Sequence, residues 1–500
     1  MSIRVGFLIV VIIALAVYAW RDWFIALCGV ILLTAVMEHP DMPRTVMGIQ
    51  GLNPRNVLIL LVLIPWFVKR QAEGARWDMP WIPAVVVGSY LIVLVVSIGR
   101  TYMELNELVR PAGLTPVTFG YLTTEYVINP MKTVLMGFLL YDGCRTRQRI
   151  WWAGLTIVAL AAAYTFVFIR VIPLEGLIRP SLVMRYRHIV GEMTGLHPND
   201  MALVISPNVW AMVSLLAVWK SRNKRLIVLA LSVFLLTGVI ATQSRAGYIA
   251  TAAVGVVYGV VRWRKLLVLL PLAGLLACIA FPTIPARMGI GFGAGSYAGQ
   301  DENDWSEITA GRTTGIWPPV VDGIGESPVY GYGRLGMLRP SVNDKVLLNY
   351  DRNPGHPHNA YLEVLLDSGA VGFVIVLTFY VALLNICIRL MRDRRDYLFC
   401  FVGAVGTANV VALLVMGLSG QSFFPESNVV TVWCAAGVAL RTWIVRRQAE
   451  SMARAAIHWR YGVGQGRPLG QGNLVGQGNL VGQGNLVQPG GRTAGPFVSS

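Results

Sequence analysis

Thirteen apolar runs punctuate this chain, near residues 5–20, 23–37, 54–68, 81–99, 126–141, 150–173, 201–219, 226–242, 246–261, 266–282, 364–388, 398–418 and 428–445. A helix that crosses a bilayer needs about 20 apolar residues. No soluble core absorbs so many such segments: the chain is 55% hydrophobic and only 14% charged, with a mean hydropathy of +0.57, which is far more apolar than a soluble domain. Lipid offers the backbone no hydrogen-bond partners, so long continuous apolar runs must become helices. The expected fold is an all-α polytopic membrane protein with 12–13 transmembrane helices, the count turning on the first two short runs, which only Arg21-Asp22 separates. The first run has no small-residue cleavage site and a second run follows at once, so it reads as an uncleaved span rather than a signal peptide.

Basic residues fix the expected orientation. Lys69, Arg70 and Arg76, then Arg145, Arg147 and Arg149, then Lys220, Arg222, Lys224 and Arg225, then Arg262, Arg264 and Lys265, then Arg389, Arg392, Arg394 and Arg395 recur at every second connector. Short basic connectors are cytoplasmic. By parity, segments 38–53, 100–125, 174–200, 243–245, 283–360 and 419–427 face the other side. The same clustering accounts for the net charge of +16 without a continuous basic patch, which argues against nucleic acid as a partner. The six cysteines are scattered, with none in the long polar segment and no CxxC pair, so neither a disulfide framework nor a cysteine metal site is expected.

Three parts follow: N-terminal transmembrane helices over 1–180, a membrane domain over 181–446 that includes a large outer loop at 283–360 with short helices, and a tail over 447–500. The tail repeats Gly470-Gln-Gly-Asn-Leu-Val475 at 476–481 and 482–487, with a degenerate copy at 464–469. So few copies of so glycine-rich a hexapeptide cannot build a packed core, and a disordered cytoplasmic tail is expected.

The outer face gathers the residues suited to chemistry. The long loop ends in His356-Pro357-His358-Asn359-Ala360-Tyr361-Leu362-Glu363, immediately before an apolar run. Imidazole accepts a proton near neutral pH, and His358 stands beside Asn359, Tyr361 and Glu363, of which Asn359 or Glu363 is placed to set its tautomer. A metal held by His356 and His358 would want a third ligand that the sequence does not supply, so no metal is expected. A serine nucleophile lacks its G-x-S-x-G turn.

Arg245 lies in a very short connector on the face where basic residues are disfavoured, and an ionisable group at full membrane depth costs about 2.5–3.5 kcal/mol. Its two readings are an anion site, favoured by the neighbouring Gln243, Ser244 and Gly247, and an arginine snorkelling to lipid headgroups. Arg312 and Arg334 are candidates to join it around a diphosphate. Alternatively each pairs with a loop acid among Asp301, Glu302, Asp304, Glu307, Asp322, Glu326, Asp344 and Asp351. Gly331-Tyr332-Gly333 resembles a phosphate-binding turn, though glycines in that spacing more often make a plain turn. Arg187, with Arg185 and His188 beside it, and Asn199, in Gly195-Leu-His197-Pro198-Asn199-Asp200, share this face and complete the candidate substrate-binding set.

These residues, in this order, resemble the O-antigen ligase and polymerase superfamily of bacterial membrane glycosyltransferases. The resemblance runs from about Gly195 to Gly372, through Pro198-Asn199 with Ala202, Ser244-Arg245-Ala246-Gly247, Gly311-Arg312 with Trp317, Pro328 with Gly331 and Gly333, and His358-Asn359 with Tyr361-Leu362-Glu363, Gly369 and Gly372. It implies transfer of a glycan from an undecaprenyl-diphosphate carrier to an acceptor hydroxyl at the periplasmic face of the bacterial inner membrane, with inversion and without metal, nucleotide or other cofactor. It places His358 as the base, and Arg245 and Arg312 on the diphosphate. Ala246 departs from a glycine common in such proteins, and His356 is a second imidazole able to take the base's role. The implied partners are the lipid-linked donor, a lipid or glycan acceptor, and membrane lipids. A ligase is favoured, with a repeat-unit polymerase or a protein O-oligosaccharyltransferase as alternatives. From another class, a flippase for lipid-linked glycans is the competing reading; transporters keep polar residues near mid-membrane and show repeated halves, whereas here the polar signal lies on one face.

Overall fold

The computed structural model describes residues 3–37, 54–110, 116–195, 197–289, 312–350, 353–421 and 423–463. Gly311, the loop acids Asp301, Glu302, Asp304, Glu307 and Asp351, and the tail repeats lie outside these residues. The described residues contain helices and no strand. Each of the thirteen apolar runs forms a helix. In chain order the main helices are α1 (Ile3–Arg21), α2 (Trp23–Met37), α3 (Pro54–Ala72), α4 (Trp81–Met103), α5 (Asn129–Gly143), α6 (Arg147–Val171), α7 (Val183–Thr194), α8 (Pro198–Ser214) and α9 (Arg222–Ala241). They continue with α10 (Arg245–Val261), α11 (Leu266–Ala280), α12 (Thr283–Gly289), α13 (Trp317–Glu326), α14 (Pro340–Asn349), α15 (Ala360–Met391), α16 (Tyr397–Met416) and α17 (Val430–Val463). Contacts divide the chain into residues 1–446, which hold the bundle, and residues 447–500.

Seven helices (α4, α6, α8, α9, α15, α16 and α17) are long and apolar enough to cross a membrane, or eight if α11 and α12, bent by 101°, count as one span. The thirteen runs exceed this count because several of their helices are short. Helices α2, α5 and α11 have 15 residues each and α10 has 17. At 1.5 Å per residue such helices reach roughly 22–26 Å, less than a hydrocarbon core of about 30 Å.

Helix α16 is the centre, nearly all of it buried. It packs against α15, α8, α10 and α6. Its small residues allow the close approach on which helix association in lipid depends: a Cβ on Gly403 would lie 2.1 Å from the backbone nitrogen of Met391 and 2.6 Å from the carbonyl of Cys387.

The two ends of the bundle differ. At one end the basic connectors are held by aspartates: Arg147 to Asp396 at 2.5 Å, Arg149 to Asp22 at 3.2 Å, Arg441 to Asp78 at 2.7 Å and Arg446 to Asp393 at 3.0 Å. At the other end a small helical cap built from residues 312–350 has its own apolar core of Ile316, Val320, Met337, Val342 and Val346, closed by Leu366 of α15. This cap is joined to α15 through a break in that helix. Gly369 takes φ 62°, ψ −171°, and the backbone groups freed there are taken up by segment 328–333. Tyr332 N–H and Gly333 N–H donate to the carbonyls of Leu366 and Asp367 at 2.8 Å, and Pro328 C=O accepts from Ala370 at 2.8 Å. Irregular backbone next to lipid needs this kind of substitution. Gly331 and Gly333 therefore serve a close backbone approach: a Cβ on Gly331 would stand 2.5 Å from the Leu366 carbonyl oxygen. The phosphate-turn reading of this pair is replaced by a splice between two chain segments.

Candidate functional site

The cap holds the histidine segment from both sides. Asn353, buried, donates its amide to Met337 C=O at 2.7 Å and to the side chain of Asn343 at 3.0 Å, while its oxygen accepts from Gly355 N–H at 2.8 Å. Trp317, the first residue of α13, donates its indole N–H to Pro357 C=O at 3.0 Å. Beyond the histidines, Ala360 N–H donates to Gly417 C=O at 2.7 Å and Tyr361 hydroxyl to Leu414 C=O at 2.7 Å, tying the start of α15 to the end of α16. Asn359 is the N-cap of α15, its side-chain oxygen accepting from Tyr361 and Leu362. Asn359 thus caps α15 through its side-chain oxygen, and Tyr361 tethers that helix to the end of α16.

Between these anchors the chain makes an unusual turn. His358 has φ 52°, a conformation costly for a residue with a side chain. The turn is supported by its own N–H, which donates to His356 Nδ1 at 3.3 Å, and the two imidazole centroids lie 3.9 Å apart at 59°. Because His356 Nδ1 accepts that hydrogen bond, the neutral ring carries its proton on Nε2. Burial draws the His356 pKa down to about 4; Glu363 opposes this, and Arg334, Arg312 and His197 reinforce it. His356 is therefore a neutral donor across the physiological range.

A group of arginines faces the same region. Arg187, on α7, donates to the carbonyls of Thr242 and Gln243 at 2.9 and 3.2 Å and to the Asn199 side chain at 3.0 Å. Asn199 oxygen also accepts from Ser244 Oγ at 2.8 Å, so Arg187 and Asn199 meet at the connector that begins α10. Arg185 and His188 do not join them: both are exposed, and His188 contacts Glu192 at 3.1 Å. Arg287 of α12 donates to the Gln243 carbonyl at 3.1 Å. Arg312 donates to Ser419 C=O at 3.2 Å. Burial draws Arg187 down to about 10, and the nearby charges of Arg287, Arg245 and Arg312 add to the effect. Arg312 is lowered by burial and then by Arg245. Among the described residues no carboxylate makes an ion pair with Arg187 or Arg312. Neighbouring guanidiniums that lower Arg187 and Arg312 in a partly buried site favour an anion beside them.

Arg334 stands apart from this group. It is 4% exposed, contacts Glu363 at 2.6 Å and Asp367 at 2.9 Å, and lies over the Phe424 ring at 4.3 Å. Burial lowers its pKa, but Glu363 and Asp367 outweigh that and raise it. Among the described residues these close partners come from α15, and the described loop acids Asp322, Glu326 and Asp344 are not among them. Glu363 also accepts from Gln421 at 2.9 Å, so one of its oxygens is shared between Arg334 and Gln421. Glu426 lies 3.9 Å from Arg334. Burial pushes the Glu426 carboxyl up to about 8, against Arg334 and with Glu363 and Asp200.

Arg287, His197, Glu426 and Asp367 belong to this neighbourhood and were not singled out from the sequence. The argument used for Arg245 applies equally to Arg287, a basic residue just past an apolar run on the disfavoured side. The acids carried no such signal, because their role depends on Arg334 reaching them. The O-antigen ligase family model matches residues 229–377, a stretch containing Arg245, Arg287, Arg312, Arg334, His356 and His358. No curated protein matches the chain.

Proposed function

Starting from a chain that carries an O-antigen ligase domain over residues 229–377, we propose that it moves a glycan from an undecaprenyl-diphosphate carrier to an acceptor hydroxyl on the periplasmic side of the bacterial inner membrane. The observation that carries this reading is the joint site: Arg312 donates to Ser419 C=O while Ala360 N–H, two residues after His358, donates to Gly417 C=O, so the arginine and the histidine segment are held by the same turn after α16.

In this mechanism Arg187, Arg245, Arg287 and Arg312 bind the diphosphate and stabilise the charge that grows on it as the bond to the anomeric carbon breaks. The acceptor oxygen attacks that carbon from the opposite face, inverting it, and its proton passes to His358. Undecaprenyl diphosphate departs with the bonding electron pair. His356 cannot take the proton while its Nδ1 holds the His358 N–H; its Nε2–H is left to donate to the acceptor oxygen or a phosphate oxygen. Arg334 is a positioning residue that fixes Glu363 and the mouth of α15. A lipid A core sugar is the acceptor class we favour.

The test uses purified full-length protein with carrier-linked glycan and separate acceptors, a lipid A core or a second carrier-linked repeat, with chelator and no nucleotide. Transfer should proceed, and His358→Ala should lower turnover by about 10²–10⁴-fold. Turnover of His358→Ala within a few-fold of wild type, or a requirement for divalent metal, would overturn the assignment.

A further inference from the structure

At the end of the bundle away from the histidines, α3, α4 and α5 enclose an apolar groove of about 380 Å³ lined by Trp66, Trp77, Val87, Leu91, Leu135 and Phe138, together with Gly88. Gly88 lies inside α4, two turns from its start, where glycine costs helix stability relative to alanine. No neighbour demands it: a Cβ at Gly88 would meet nothing within 4 Å. The missing side chain leaves room in the groove. The outer face of α4 beside it, with Trp81, Ile82 and Val85, is exposed, so the groove opens sideways toward the surrounding hydrocarbon.

The rim is polar and positively charged. Arg70 lies over the Trp66 and Trp77 rings at 5.8 and 5.6 Å and pairs with Asp142. Asp142 also takes Arg145 at 2.7 Å and the Trp66 indole N–H at 2.8 Å, and Asp78 is engaged by Arg441 at 2.7 Å. Counting Lys69, Arg70, Arg76, Arg145 and Arg441 against Glu73, Asp78 and Asp142 leaves two positive charges at this mouth, five minus three. Arg76, directly before Trp77, is exposed.

From this combination we infer that the groove is a binding site for an anionic glycerophospholipid, one acyl chain lying along Gly88 between α4 and α5 and the phosphate headgroup meeting Arg76 and its neighbours. An apolar slot of this shape beside lipid accepts a chain without desolvating polar groups, and the charge at its rim selects the headgroup. The site lies far from the proposed transfer chemistry and does not depend on it.

The experiment reconstitutes the full chain in vesicles containing a phosphatidylglycerol with a photoreactive group on its acyl chain, and maps adducts by peptide mass spectrometry. Adducts should concentrate on residues 84–91 and 135–139. Gly88→Leu and, separately, Leu91→Trp should each reduce them by about tenfold, the effect of losing about two buried methylene groups of contact. Gly88→Ala, which leaves most of the slot open, serves as the folding control. Unlabelled phosphatidylglycerol should compete and phosphatidylcholine should not, and Arg76→Gln should narrow that difference. Adducts spread evenly over all outward-facing helices, labelling that survives both filling substitutions, or equal competition by phosphatidylcholine would overturn the proposal. Stronger competition by undecaprenyl phosphate than by phosphatidylglycerol would also overturn it, by assigning the groove to a polyprenyl chain.

Discussion

Arg334 and Arg187 occupy the same end of the bundle, yet their surroundings are opposite. Arg334 is enclosed by Glu363 and Asp367 with an aromatic ring against its face, so its charge is balanced within the protein. Arg187 is held by two carbonyls and an amide oxygen, partners that orient a guanidinium but do not cancel its charge, and Arg287, Arg245 and Arg312 add to the positive field. A balanced arginine secures structure. An arginine held by carbonyl and amide dipoles keeps its charge, which suits it to the anion-binding role proposed above.

The sharpest way to break this contrast is to remove Arg334. Arg334→Ala strands two buried carboxylates, and breaking a buried pair from one side costs about 3–5 kcal/mol. Loss of monodisperse protein or a large drop in melting temperature is expected, and neutralising the partners in the triple variant Arg334→Ala, Glu363→Gln, Asp367→Asn should recover much of it. A stable, well-folded Arg334→Ala would remove the structural role.

Arg312→Ala should behave in the opposite way. Removing one of several groups that stabilise developing charge costs about 2.7–4 kcal/mol in the transition state, a fall in turnover of about 10²–10³-fold. The melting temperature should hold or rise, because a repulsive neighbour has been deleted. If Arg312→Ala melts as Arg334→Ala does, the two arginine classes are one.

The smallest effect concerns Glu426. With its carboxyl raised to about 8 from an ordinary 4.5, the folded protein holds a proton there that the unfolded chain releases. Stability should therefore fall as pH rises from 4.5 to 8, since the folded state binds more protons across that window. Glu426→Gln should flatten this dependence in melting curves. With 34% of the side chain exposed, solvent screens the group and the change should be slight. An unchanged slope would place the titration elsewhere.

Much of the architecture was legible beforehand because apolar length is a local property. The thirteen runs are helices, and the basic connectors at 145–149 and 389–395 come together with α1–α2 and α17 at one end, as alternating topology requires. The number of crossing helices was less legible: run length in sequence overstates helices that caps and bends shorten. Arg245, Arg312 and His358 stood out by position alone. Arg334 was legible as important, but its partners were not, because Glu363 and Asp367 lie about thirty residues away and reach it only through the splice at Gly369. The capping bond of Asn359 and the tether of Tyr361 were illegible for the same reason. Capping and tethering bonds depend on backbone geometry that residue type does not specify.

By itself, the amino-acid sequence determined that this chain must be helical in lipid and that unusual arginines and two histidines lie where apolar runs end. Hydrophobic length and charge placement are read directly from residue order, and lipid leaves them few solutions. Only the tertiary structure decided which arginine is paired with carboxylates and which is held by carbonyls, and which imidazole nitrogen is already engaged. Those outcomes depend on groups far apart in the chain coming within hydrogen-bond reach, and the packing of α15, α16 and the cap alone sets those distances.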